Sequence, residues 1–459
     1  MLDLISLVGF FVLGGIGWIT YKIYIWPVYI TPLRKIPGPS SSESLFFGNI
    51  KTLLIQEDAQ LNWVQKYGNI LKYHGLFNQP ALLISDTKII QDITLNRVYD
   101  FIKPPHMMAD AIAMAGRGLV FTEVAFTLKS LIEDKVNLGE SEINLTPHIS
   151  KATLDVIGLV AEAYDSLMNA PSSVLRLVIS YLSNIIPYIR ELPIDINRQF
   201  KNNCAIIDRV SKKLVEEKYK EAENGELKGK DLLSLLININ KTLPIEEKMT
   251  DEELKYQIMT FLLAGHETTS TATCWALYFL AQYPNEQDLL REELVKAFPD
   301  KSNFNPTFDE INSLEYLNCV VKETLRLNSP IPATSRTNTK DEVLGGYHIP
   351  KNTIVLVAIE ALHKLPEIWG PTAAEFDPKR WLDPSLIKNV SNLNYLPFLT
   401  GTRTCIGNKV ALIEFKILLS MLVRNFVFRP IEGFHIKRKI VPVNRPDPYL
   451  GLSVSKVEN

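Results

Sequence analysis

The sequence predicts a mainly α-helical fold with a smaller β region. Helical periodicity dominates from about residue 53 onward. Residues 250–283 read as one long helix, and strand-like runs such as 81–84 and 353–358 stay short. No internal repeat or low-complexity tract interrupts the pattern.

The amino terminus carries eighteen uncharged residues, 4–21, bracketed by Asp3 and Lys22. As a helix they would reach roughly 27 Å, close to a bilayer core. The basic residues Lys22, Arg34 and Lys35 follow the apolar run rather than precede it. That order predicts a retained single-pass anchor over 1–30 with the remainder cytosolic. The sequons at Asn144 and Asn389 are then expected to be silent. Residues 31–52 form a hinge and lead-in, in which Pro37-Gly38-Pro39 fixes the direction of the chain. Residues 53–459 are expected to make the catalytic domain.

Thr250 with Asp251, Glu252 and Glu253 supplies a cap and an acidic first turn, and Pro284 marks the end of the long helix. Its flanks are apolar almost all round, which predicts burial. A second helix is expected over 308–327 and a third from just past Cys405 to about Leu422. Gly345-Gly346 marks a turn between two strands. The charged stretch 212–230 reads as a solvated helix followed by a loop at Asn224-Gly225.

With 459 residues, 46% apolar and 22% charged, the chain can build a large core. Its formal charge of −2 excludes a non-specific electrostatic grip on nucleic acid. Cys204, Cys274, Cys319 and Cys405 are far apart, which argues against a zinc cluster and a disulfide framework.

One of these cysteines stands apart. Cys405 sits in a loop, Phe398 to Gly407, that is punctuated by Gly401 and Gly407 and feeds into a helix. Glycines let backbone approach a flat ligand closely. A following helix amino terminus offers N–H donors to a thiolate, and Arg403 adds a cation nearby. The decapeptide resembles the haem-binding loop of the cytochrome P-450 superfamily: Phe398, Gly401, Arg403, Cys405 and Gly407 stand at the family spacing. Leu399 departs from it, where many members carry glycine.

The resemblance extends to other segments. Ala264-Gly265-His266-Glu267-Thr268-Thr269 resembles the oxygen-activation segment. There Ala264 and Gly265 would clear space on the helix, and Glu267 and Thr268 would relay protons. Glu323 and Arg326 resemble the Glu-x-x-Arg pair, which Arg380 would join in a structural role. Arg336 resembles the strand arginine that contacts a haem propionate. The resemblance implies haem b held non-covalently, with Cys405 as its only protein ligand to iron. It also implies dioxygen and a hydrophobic small-molecule substrate, with electrons from an NADPH-dependent flavoprotein reductase at the endoplasmic reticulum membrane. Motif spacing is similar to the fatty-acid-hydroxylase branch, although Ala264 stands where that branch often has a glutamate esterified to haem.

The pattern breaks twice. The family's Trp-x-x-x-Arg helix, which clamps a propionate, is missing: no tryptophan lies between Trp63 and Trp275. Internal deletions are expected near 123/124 and 160/161. They raise an alternative, a truncated and catalytically impaired form. A haem-thiolate isomerase or dehydratase is a further alternative, and the Glu267-Thr268 pair weighs against it.

Overall fold

A proline within a helix cannot donate its backbone hydrogen bond, and the amino-terminal helix reflects that rule. Leu4–Thr20 is α-helical, and the chain then widens into a π-helix, Tyr21–Ile30, around Pro27. The Thr31 N–H bonds the Trp26 carbonyl, five residues back, at 2.9 Å. The structure, a computed structural model, describes residues 4–40, 44–104, 122–152, 179, 182–183, 186–224, 232–300, 304–440 and 443–457. Among the described residues no helix is long and apolar enough to cross a membrane. This corrects the single-pass expectation over 1–30: the α-helix holds 17 residues, roughly 25 Å, before its geometry changes. The π-helix is instead tied back, with Asn78 Nδ2 donating to the Ile23 carbonyl at 2.8 Å.

The expected catalytic domain divides into two compact units. The first comprises Met1–Pro104, Pro332–Ala374 and Asn389–Cys405. Its sheet takes the order Ile70–His74, Pro80–Ile84, Ile354–Val357, Thr334–Asn338, Phe101–Ile102. Pro80–Ile84 and Ile354–Val357 pair in parallel, and the other neighbours are antiparallel. Parallel strands buried on both faces read as unbroken apolar runs, which is why 81–84 was legible. Gly345-Gly346 closes the hairpin between Glu342–Leu344 and Tyr347–Ile349, with φ of 54° and 82° that favour glycine.

The second unit comprises Pro105–Ile331, Glu375–Lys388 and Ile406–Asn459. Its centre is the long helix, Asp251–Gln282, opened by a capping box between Thr250 and Glu253. The Asn408–Asn425 helix packs along it. The helix expected over 308–327 is two, Phe308–Ser313 and Glu315–Leu327, broken at Leu314. The Glu293 carboxylate caps the second, accepting from the Tyr316 and Leu317 N–H groups at 2.8 Å each. That cap comes from another helix, so local sequence carries no sign of it. Residues 212–223 of the charged stretch belong to a 29-residue helix, Asp195–Glu223, which ends before Asn224, and 225–230 lie outside the described residues. The junction at 123/124 falls within the Thr122–Asn137 helix, and the one at 160/161 lies outside the described residues.

Pro37-Gly38-Pro39 lies against the strand Ile70–His74, where the Lys72 N–H donates to the Pro37 carbonyl at 2.8 Å. A Cβ on Gly38 would stand 1.8 Å from the Lys72 carbonyl oxygen. Gly38→Ala should therefore destabilise the first unit by about 1–3 kcal/mol, read as a lower denaturant midpoint at unchanged slope.

Candidate functional site

The loop that carries Cys405 is built from backbone bonds in the first unit. Buried His363 accepts the Leu396 N–H on Nε2 at 2.7 Å and pins the start of the loop. Leu399 and Gly401 then take left-handed backbone, with φ of 60° and 73°. For a leucine this costs about 1–2 kcal/mol. Gly401 has no alternative: a Cβ there would come within 2.6 Å of the Thr94 carbonyl oxygen and the Leu95 side chain. The loop closes where the Cys405 N–H donates to the Phe398 carbonyl at 2.9 Å. Cys405 stands exposed at its end, and Phe398 is half-buried. Gly407, in the second unit, is the N-cap of the Asn408–Asn425 helix.

The same unit gathers positive charge. Arg336 is only 4% exposed, and one of its terminal nitrogens donates to Thr334 Oγ1 and to the Ser335 carbonyl, each at 2.9 Å. The Lys103 ammonium donates to the same Thr334 hydroxyl at 3.0 Å. Desolvation, then the charges of Arg336 and Arg403, push Lys103 down to about 8. Burial, then Arg403, lowers Arg336. Among the described residues no carboxylate pairs with any of the three. Cations that repel one another with no counter-charge form a receptor for an anionic group. With the exposed Cys405 thiol in the same unit, this is a donor set that fits iron porphyrin, which carries two propionates. Sequence reasoning missed Lys103, which no motif marks.

In the second unit, the long helix turns an open side outward at Ala264 and Gly265. Both are exposed, and a Cβ on Gly265 would meet nothing within 4 Å. Thr268 is half-buried and donates to the Ala264 carbonyl at 2.8 Å. Thr260 and Thr273 make the same back-bond, and the helix stays α throughout. The local opening that a threonine can induce is therefore absent here. Neighbours in a helix point about 100° apart, so Glu267 and Thr268 diverge. Glu267 is 8% exposed and is bound by Arg445 from the strand Asn444–Asp447. His266 is buried.

Glu323, Arg326 and Arg380 come together in the second unit, each at most 1% exposed. Glu323 Oε1 accepts from Arg326 at 2.7 Å and from Arg380 Nε at 3.3 Å. It also accepts from the Asp377 N–H at 3.0 Å, while Oε2 takes Arg326 Nε and Trp381 Nε1 at 2.9 Å each. The carboxylate thus faces five donors.

The chain matches the family described as Cytochrome P-450 over residues 105–449. It is 32% identical to cytochrome P-450 monooxygenase 128 of Postia placenta, covering 94% of this chain and 93% of the relative. Cytochrome P-450 monooxygenase 205 of the same fungus is 31% identical, with 95% of each covered. Cytochrome P-450 monooxygenase sphH of Aspergillus fumigatus is 26% identical over 90% of this chain and 86% of the relative.

Removing the charge of Glu323 takes the paired carboxylate away from two buried guanidinium groups. Glu323→Gln should cost about 3–5 kcal/mol, measured as lost unfolding free energy. Gly401→Ala meets both a left-handed backbone and a carbonyl oxygen. It should lower the melting temperature more than Gly346→Ala, whose Cβ meets nothing within 4 Å.

Proposed function

The chain belongs to the cytochrome P-450 family, an oxygen-inserting oxidoreductase family with haem b bound non-covalently through a cysteine thiolate, and on that premise we propose roles for its own residues. The observation that carries the reading is the exposed Cys405 thiol at the end of a loop fixed by its own backbone. Cys405 would hold the haem iron through its thiolate. Bound haem supplies dioxygen binding and O–O cleavage, which a thiolate ligand favours.

The residues of the chain position, shield and deliver. Arg336 and Arg403 neutralise the two carboxylates of the cofactor, with Lys103 beside them. Phe398, Gly401 and Gly407 keep the backbone close to the ring. Ala264 and Gly265 leave room on the long helix for dioxygen and substrate. Thr268 presents a hydroxyl on that helix, and Glu267 is the acid next to it in sequence. Glu323, Arg326 and Arg380 are structural.

The substrate is an apolar, lipid-like molecule whose C–H or C=C bond receives one oxygen atom. Electrons come from NADPH through a flavoprotein reductase. The outward apolar side chains Phe10, Leu13 and Trp18 support attachment of the amino-terminal helix to the endoplasmic reticulum membrane, with the catalytic part cytosolic.

A second reading, a catalytically impaired form with internal deletions, has one observation in its favour. The alignments to the two Postia placenta relatives run over 516 and 520 residues, more than the 459 of this chain. Segments present in those relatives are therefore absent here, in keeping with deletions near 123/124 and 160/161.

A carbon-monoxide difference spectrum of the reduced protein tests the main reading. The wild type should give a thiolate-type Soret band, and Cys405→Ser should lose it. A band that survives in Cys405→Ser sinks the assignment, and its absence from wild type leaves the impaired form standing. NADPH consumption with a fatty-acid substrate then tests the electron source and substrate class.

A further inference from the structure

The long helix is served by two buried acids in different electrostatic settings. Glu267 accepts from the Arg445 guanidinium, so while that pair holds it has no proton to give. Glu414 begins the buried part of the Asn408–Asn425 helix and is 7% exposed, with no cation paired to it among the described residues. It faces Thr269 of the long helix, whose buried Oγ1 closes no other hydrogen bond. Several charged groups on this helix and on the elements packed against it are engaged elsewhere, and the buried His266 lies on the long helix itself. Lys129 bonds Glu133, Arg291 bonds Asp288, and Lys322 lies over the Trp381 ring. Lys416 bonds Asn312. We propose that Glu414 is the proton-holding positioning residue of this helix, acting through the Thr269 hydroxyl, while Glu267 remains an ionised anchor for Arg445.

Burial without a counter-ion pushes the Glu414 carboxyl up to about 8, against a smaller opposite pull from Thr269, so it is neutral at pH 7. Glu414 would donate its proton to Thr269 Oγ1 as that hydroxyl passes its own on, and proton uptake would then restore the carboxyl. Each dioxygen takes up two electrons from the reductase and two protons, leaving one oxygen atom in product and one in water. This role rests on the monooxygenase reading, but the protonation state of Glu414 does not.

Infrared spectroscopy of the full chain without haem tests the protonation state. At neutral pH the carbonyl stretch of a protonated carboxyl should be present in wild type and in Glu267→Gln, and lost in Glu414→Gln. Its persistence in Glu414→Gln overturns the proposal. The folded chain keeps this proton to a higher pH than the unfolded one. Wild-type thermal stability should therefore fall as pH rises from the ordinary carboxylate range through about 8, and the fall should flatten in Glu414→Gln. In the enzyme with haem and reductase, Glu414→Gln should release several-fold more hydrogen peroxide per NADPH at unchanged KM, with Glu414→Asp intermediate. An unchanged peroxide ratio overturns the role. A wild type without a carbon-monoxide band sinks the monooxygenase reading instead, and the infrared comparison still decides which acid holds the proton.

Discussion

A carboxylate removed from water must find enough donors to replace its hydration, and Glu323 meets that demand with five. Three come from side chains of Arg326 and Arg380, one from Trp381 and one from the Asp377 backbone. The consequence is topological. Glu375–Lys388 is a short visit of the chain to the second unit, between two long passages in the first. Its apolar hold is concentrated in Phe376, which is buried and stacks on Phe279 with ring centroids 4.7 Å apart. Its polar fixation falls to Asp377, Arg380 and Trp381, all bound to one side chain, and to Glu375, whose carbonyl accepts from Arg326 at 3.0 Å. Each guanidinium is in turn compensated in the interior by the Glu323 carboxylate.

The first unit applies the opposite principle. Among the described residues Arg336, Lys103 and Arg403 have no acid paired to them, and burial first, then the neighbouring cations, lowers Lys103 and Arg336. Folding alone would favour a carboxylate nearby, so the uncompensated charge costs stability. The loop of Cys405 stores a small strain, in the left-handed Leu399. Leu399 is half-buried and packs on the hydrophobic core of the first unit, so its side chain offsets part of the backbone cost that a glycine would avoid.

What the sequence disclosed followed the range of the interactions. The long helix was legible because its cap, its acidic first turn and its terminating proline are local. The Gly345-Gly346 hairpin was legible because two successive left-handed residues require glycine. The Cys405 loop and the Glu323 group were legible through motif spacing, which summarises a tertiary arrangement without revealing it. The break at Leu314 was hidden, since Glu293 caps the next helix from outside. Lys103, Arg445 and Glu414 were hidden for the same reason: each acquires its meaning from a residue far away in the chain. The apolar run at the amino terminus gave the right composition and the wrong geometry, because Pro27 changes the helix type rather than ending it.

Adjacency in sequence and adjacency in space part company most clearly on the long helix. Glu267 and Thr268 look like a pair on the page, yet the helical rotation sends the acid to Arg445 and leaves the hydroxyl bonded to Ala264. The guanidinium makes Glu267 inexpensive to bury as an ion and, by the same bond, poor as a proton donor. An acid that must carry a proton at neutral pH needs burial without a cation, and the partner helix supplies that at Glu414. The division of labour follows from placing one carboxylate beside an arginine and the other beside a hydroxyl. Of two acids with identical chemistry, the one beside the guanidinium is favoured as the ion, and the one buried beside a hydroxyl is favoured as the neutral acid.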